Sequence, residues 1–268
     1  MPELNAVVIQ RIDFTSDLMI LKVALDGGVP PAFKPGQFLA LGLPASAPRA
    51  ADSSPEKPVP APDAFIRRAY SIASSPNERE FLEFYIAKVK SGALTPRLFA
   101  LNVGDRVFVS PKATGMFTLD QVAVDQNLVF IGTGTGLAPY MSMIRTHLEA
   151  KEARKFAVLH GARNSWDLGY RTELFYMQRF AQNFSYFPIL DEPQSEAVPW
   201  KGDVGFVQHL WEKGVIEKAW GFKPHPTNSH VFLCGNPLMI EAMKEVVVRE
   251  GYTVHSKQVP GQIHIEEF

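Results

Sequence analysis

Three short segments carry residue types that could do chemistry: Arg68-Ala69-Tyr70-Ser71, Gly132-Thr133-Gly134-Thr135-Gly136 and Cys234-Gly235-Asn236-Pro237. On a strand, Arg68 and Tyr70 project from one face, two residues apart. A guanidinium there can neutralise a phosphate, a phenol can stack on or hydrogen-bond to a planar ring, and the Ser71 hydroxyl can donate to a ring nitrogen. Those are parts a flavin needs, although an ordinary surface strand with one arginine would look the same. The glycine run follows an apolar stretch and precedes a helical one, so its glycines sit where backbone must approach a ligand closely. Free N–H groups at such a helix start suit a pyrophosphate. Its spacing, G-x-G-x-G, is not the G-x-G-x-x-G dinucleotide fingerprint, and a plain glycine-rich turn stays open as the alternative. Cys234 follows the apolar Val231-Phe232-Leu233 at the carboxyl end of an expected parallel strand, where open sheets bind ligands. That placement predicts a thiol facing a cleft, against the commoner case of a small buried hydrophobe.

A fourth segment, Lys88 to Arg97, leads a strand through Gly92 into a helix. Thr95 is expected to cap that helix, with Pro96 at the position that tolerates a missing N–H. The first amides would then be unpaired and favourable to an anion, unless the helix is simply well capped without a ligand.

The elements that must position these segments fall into two patterns. Before about residue 120 short strands alternate with turns: Ala6 to Gln10, Met19 to Ala24, Gln37 to Leu43, Ala69 to Ala73, Leu82 to Val89 and Arg106 to Ser110. This predicts an antiparallel β-barrel. Ala45 to Asp63, rich in Pro, Ala and Ser, is expected to be a mobile surface loop without a part in the core. From Asn127 onward apolar runs alternate with helical stretches: Leu128 to Gly132, Leu137 to Glu149, Phe156 to Ala162, Arg171 to Gln182 and Phe184 to Leu190. Val204 to Glu212, His230 to Cys234, Pro237 to Glu250 and Tyr252 to His255 continue the series. This is the alternation of a parallel α/β sheet with crossover helices. Two domains are expected, 1–122 and 123–268.

Composition narrows the partners. The 27 basic and 28 acidic residues leave a formal charge of −1, with no electrostatic footprint for nucleic acid and no polybasic run for a membrane surface. No apolar stretch approaches the roughly 18 residues of a membrane span, and Met1-Pro2-Glu3-Leu4-Asn5 does not open a secretory signal, so a cytoplasmic protein, expected to be a monomer, is inferred. One cysteine cannot make an intrachain disulfide, a four-thiolate zinc site or an iron–sulfur cluster. His225 and His230 lie in a loop with no carboxylate or thiolate to complete a metal site, so no metal is expected. Trp200, Trp211 and Trp220 are expected to pack.

Taken in order, these motifs resemble those of the ferredoxin–NADP reductase family of flavoproteins, especially the bacterial flavodoxin/ferredoxin reductases, over nearly the whole chain. Arg68-Ala69-Tyr70-Ser71 resembles the family's R-x-Y-S motif, Gly92-Ala93-Leu94-Thr95 its pyrophosphate turn, Gly134-Thr135-Gly136-Leu137-Ala138-Pro139 its nicotinamide loop, and Cys234-Gly235-Asn236-Pro237 its C-G-x-P motif. The resemblance implies that Arg68, Ala69 and the Gly92, Ala93, Leu94 and Thr95 turn hold the FAD pyrophosphate. It sets Tyr70 beside the isoalloxazine, Ser71 near N5, Thr135 toward the FAD, and Cys234 near the nicotinamide C4. Gly134, Gly136, Pro139, Gly235, Asn236 and Pro237 would contact NADPH or NADH. The tail Ile263 to Phe268 would return to the flavin, with Phe268 against the flavin or the adenine. Hydride transfer from nicotinamide to flavin N5, then single-electron steps to a ferredoxin or flavodoxin, is the implied reaction. A reductase component of an oxygenase, a free-flavin reductase and a non-catalytic electron-transfer subunit are the alternatives. For the coenzyme, Arg163 and Lys201 offer charge to a 2′-phosphate while Asp191 and Glu192 oppose it; the family favours NADPH.

Overall fold

The computed structural model describes residues 3–267. The chain divides into two compact units, one running to Thr118 and including Ala138–Thr146, the other comprising Leu119–Leu137 and the chain from His147 onward. This differs from a single cut at 122/123. A stretch of helix α2 (Leu137–His147) joins the first unit because its polar side chains bond there: Ser142 Oγ donates to the Ser74 carbonyl at 2.7 Å, and Arg145 to the Ala73 carbonyl at 2.9 Å and to Glu83 at 2.7 Å.

In the first unit, β1 (Ala6–Thr15), β2 (Leu18–Leu25), β3 (Phe38–Pro44), β4 (Phe65–Ser71), β5 (Leu82–Ala87) and β6 (Arg106–Val109) form an antiparallel sheet, with the one-turn α1 (Thr95–Leu98) between the last two. The strand order is β4-β3-β6-β1-β2-β5. Its two edges meet where Ile72, just past β4, bridges to Phe84 of β5 and Ala73 N–H donates to the Glu83 carbonyl at 2.8 Å. That closure makes the expected barrel and leaves its edges paired. Leu21, Leu39, Leu41, Phe84 and Val109, all fully buried, fill it.

Residues 45–63 depart from expectation. Ala45, Ala47 and Ala50 pack against the barrel core, and the segment carries an ordered set of ion pairs. Its small side chains permit close backbone approach, and charge supplies the cohesion that apolar bulk does not.

The second unit holds a parallel sheet of β7 (Asn127–Thr133), β8 (Phe156–Ala162), β9 (Phe184–Leu190), β10 (Asp203–Val204), β11 (Ser229–Gly235) and β12 (Ile263–Glu267), in the order β10-β9-β8-β7-β11-β12. Helices α3 (Arg171–Phe180), α4 (Val207–Glu212), α5 (Val215–Trp220) and α6 (Pro237–Arg249) connect them. Leu128, Val129, Phe130 and Ile131 are all fully buried, the unbroken apolar run of a strand covered on both faces. Trp211 and Trp220 are core residues as expected. Tyr252 to His255 supplies only an isolated bridge, Val254 to Ile263, and the sixth strand is β12 instead.

Candidate functional site

Two sets of residues carry the chemistry, one in each unit. In the first, β4 pairs with β3 so that Arg68 stands opposite Leu41 and Tyr70 opposite Leu39. The shared face follows from the two-residue period of the strand. The exposed Arg68 guanidinium donates to the Arg67 carbonyl at 2.7 Å and has no carboxylate partner among the described residues. A cation left without a counter-ion in this way suits a phosphate. Tyr70 is half-buried against the barrel core, and burial, partly offset by the Arg68 charge, pushes its phenol up, so it stays protonated. Ser71 ends the strand opposite Phe38.

The neighbouring turn is shaped differently from expectation. Thr95 does not cap α1, whose N-cap is Leu94 without a side-chain bond. Instead Thr95 Oγ1 accepts from Val89 N–H at 2.9 Å and donates to the Val89 carbonyl at 3.2 Å, pinning the two ends of the turn together. Gly92 N–H is also used, donating to the Val89 carbonyl at 2.8 Å, so it is not one of the free amides. The Ala93, Leu94 and Thr95 amides have no acceptor among the described residues. Leu94 anchors the turn with a buried side chain.

In the second unit the sheet order runs outward from β7 through β8 to β9 on one side and through β11 to β12 on the other. The reversal falls at β7/β11, and ligands bind at the carboxyl ends of strands at such a point. Both glycine motifs stand there. Gly134 has φ of +53° and opens a 3-10 turn that continues through Thr135 to Gly136. A Cβ on Gly136 would lie 2.2 Å from the Cys234 carbonyl oxygen, and one on Gly235, at φ of +130°, 2.6 Å from the Thr133 carbonyl oxygen. These glycines are needed because the two loops touch backbone to backbone. Asn236 caps α6 by accepting from Leu238 N–H at 2.8 Å, with Pro237 following as the first helical residue. Pro139 sits in the first turn of α2.

Cys234 is fully buried, so the thiol does not face an open cleft. Burial, with the nearby Glu266 charge, raises it well above the usual thiol value, and it remains a neutral SH. It flanks Gly132 on one side and Glu266 on the other. Phe268 lies outside the described residues.

The three coenzyme-discriminating residues are not equally placed. Arg163 and Asp191 each follow a strand whose last residues, Ala162 and Leu190, are register partners, and Glu192 N–H donates to the Arg163 carbonyl at 3.0 Å. Lys201 lies outside the strands, two residues before β10, whose Asp203 pairs with Ile189. Arg163 and Lys201 are exposed and unpaired among the described residues, and Asp191 Oδ1 is buried without a hydrogen bond.

Thr133 escaped sequence reasoning. Its Oγ1 accepts from Asn236 N–H at 3.0 Å and lies where a Gly235 Cβ would fall. Its hydroxyl between Gly132 and Gly134, inside the glycine run, was the available signal. Among the described residues no group of three or more histidine, cysteine or carboxylate side chains could hold a metal, and no helix is long and apolar enough to cross a membrane.

A closed antiparallel barrel followed by a parallel nucleotide-type sheet defines a two-domain reductase fold, and known proteins agree. The family model for the oxidoreductase NAD-binding domain matches residues 130–245. The flavodoxin/ferredoxin–NADP reductase of Escherichia coli (strain K12) is 33% identical over 208 residues, 78% of this chain and 76% of that one. The phenol 2-monooxygenase reductase component of Pseudomonas sp. (strain CF600) is 32% identical over 240 residues, 89% of this chain and 59% of that one. A ferredoxin NADP+ reductase from Neisseria gonorrhoeae, solved with bound FAD and NADP, superposes with a TM-score of 0.80 at 22% identity, covering 98% of this chain and 97% of that one. The chain belongs to the ferredoxin–NADP reductase family and is an oxidoreductase.

Proposed function

We propose that this protein uses FAD to pass electrons between NAD(P)H, with NADPH favoured, and a ferredoxin or flavodoxin. The observation that carries the reading is the meeting of Gly136 with Cys234 and Gly235 at the reversal of strand order, beside family membership. The chain's residues fit both nucleotides: an unpaired guanidinium and three unpaired amides in the barrel, two glycine loops in backbone contact in the sheet. FAD, when bound, supplies acceptance of a hydride and its release one electron at a time.

Arg68 neutralises the FAD pyrophosphate, and the Ala93, Leu94 and Thr95 amides hydrogen-bond its oxygens. Tyr70, held neutral, flanks the isoalloxazine without placing a charge beside it. Ser71 offers its hydroxyl toward N5, and Thr135 bonds to the FAD. Gly134, Gly136, Pro139 and Gly235 to Pro237 seat the nicotinamide nucleotide. Cys234, held as a neutral thiol by burial, would lie behind the loop that seats the nicotinamide, near C4 without an open face toward it, and makes no covalent bond.

Arg163 supports NADPH, as an exposed, unpaired guanidinium at the end of β8. A second reading, NADH, is favoured by Asp191, whose unbonded Oδ1 suits a ribose hydroxyl and repels a phosphate. Similarity to the phenol 2-monooxygenase component keeps an oxygenase partner as the alternative acceptor system. Steady-state rates with NADPH and NADH against ferredoxin, flavodoxin and free flavin test coenzyme and acceptor together. Failure to reduce any of them with either coenzyme overturns the proposal, and loss of yellow colour on gel filtration overturns tightly held FAD.

A further inference from the structure

Residues 45–63 are bound to the segment Lys88–Arg97 on both sides of the phosphate turn. Before it, the Lys88 ammonium, 3% exposed, meets the Asp52 carboxylate at 2.7 Å and Asp17 at 2.9 Å. After it, the Arg97 guanidinium, also 3% exposed, grips Glu56 with two parallel bonds of 2.7 and 3.0 Å. Arg49 reaches Glu56 at 2.8 Å and donates to the carbonyls of Ser54 at 2.7 Å and Lys90 at 3.3 Å. Two backbone bonds complete the set: Ala50 N–H to the Pro96 carbonyl at 2.9 Å, and Ser54 N–H to the Lys90 carbonyl at 3.0 Å.

Burying two cations is unfavourable unless each is paired, yet the barrel closes without this segment. What the arrangement does is visible at Arg97, which also donates to the Ala93 carbonyl at 2.6 Å and the Ala45 carbonyl at 2.5 Å. In a planar trans peptide the C=O and N–H point in opposite directions. Drawing the Ala93 carbonyl inward to Arg97 therefore turns the Leu94 N–H outward, toward where a phosphate oxygen would sit. Glu56 fixes the guanidinium that does this.

We propose that residues 45–56 form a strap over the phosphate turn, and that Glu56, acting through Arg97, is a positioning residue for FAD. The proposal rests on the reading above that the Gly92–Thr95 turn receives the pyrophosphate. Without Glu56, Arg97 keeps only its two carbonyl acceptors, and the Ala93–Leu94 peptide is held less firmly in its orientation.

The test titrates apoprotein with FAD and with riboflavin, which has the ring system but no phosphate. Glu56→Gln is expected to raise the FAD dissociation constant about tenfold and leave riboflavin binding unchanged. In the same apoprotein, hydrogen exchange at Val89, Gly92 and Ser54 is expected to quicken while that of β1 and β2 amides stays slow. An unchanged FAD constant, or an equal weakening of both ligands, overturns the strap. If wild-type protein binds riboflavin as tightly as FAD, the phosphate reading itself is wrong, whatever the variant does. Should Glu56→Gln fail to fold, Asp52→Asn at the strap's other anchor decides: the FAD-to-riboflavin preference must fall by about threefold, and its constancy overturns the proposal.

Discussion

The two turns suited to phosphate are held in shape by opposite means. In the barrel, the Gly92–Thr95 turn owes its form to side-chain charge: Lys88 and Arg97, both buried, answered by Asp52 and Glu56 from a remote segment. In the sheet, the Gly134–Gly136 loop owes its form to backbone: Gly136 and Gly235 leave out the atoms that would part β7's loop from β11's, and one threonine hydroxyl joins them. The first design can be loosened by proton, salt or a single charge change. The second responds to added volume and to loss of that one hydroxyl, not to charge.

Mutation separates the two most sharply at their anchors. Arg97→Met should destabilise the protein by about 3 kcal/mol, since it leaves the Glu56 carboxylate, in a site only 12% exposed, to Arg49 alone and takes the donor from the Ala45 and Ala93 carbonyls; urea unfolding measures it. Gly136→Ala is expected to cost about 3 kcal/mol and to raise the KM for NAD(P)H, because its Cβ meets backbone that cannot rotate away. A variant with unchanged KM would remove the case for close packing there.

Proton dependence separates the units too. The bond from Arg97 holds the Glu56 carboxyl below its ordinary value of 4.5, so its contribution is complete above that value and is lost as pH falls through the lower folded one. In the second unit burial lowers His160 to about 3 and His264 to about 3, each neutral when folded. An unfolded histidine takes up its proton near 6.5, so stability declines as pH drops below that point, by on the order of 1 kcal/mol per pH unit for His160. Thermal melts from pH 8 to 4 should therefore show sheet signals weakening before the barrel's. The reverse order would contradict this assignment.

Thr133→Val should cost about 0.5–1 kcal/mol by exchanging the Asn236 N–H bond for one to water, seen as a small drop in melting temperature with a larger rise in KM for the coenzyme. Smallest of all is the effect of alkylation: iodoacetamide at neutral pH is expected to leave Cys234 unmodified until the protein unfolds, its thiol being buried and protonated. Rapid labelling of the native enzyme would show the thiol is accessible.

Legibility followed the source of each structure. Strands β8 and β9 coincide with their apolar runs, because burial, on both faces of β8 and at Phe184, Tyr186, Ile189 and Leu190 of β9, writes itself into residue type. β12 did not, since Ile263-His264-Ile265-Glu266-Glu267 is too polar to announce a strand of this sheet; His264 is buried by stacking on Phe232 at 4.3 Å and on His230 at 5.2 Å. The glycines and Arg68 were legible as motifs. The strap was not, because Glu56 and Arg97 are separated by 41 residues and a proline-rich composition conceals charge pairing. Thr95 looked like a cap and proved to be a clasp, since its hydroxyl was already taken by Val89. Cys234 announced a location but not its depth.

The hydroxyl of Thr133 has a mechanical meaning beyond stability. By tying Asn236 to the strand that leads into Gly134, it makes the two loops a single rigid jaw. In the proposed reading, a shift that widens one loop carries the other with it, Cys234 included, and a chain lacking that hydroxyl would let the two loops move separately.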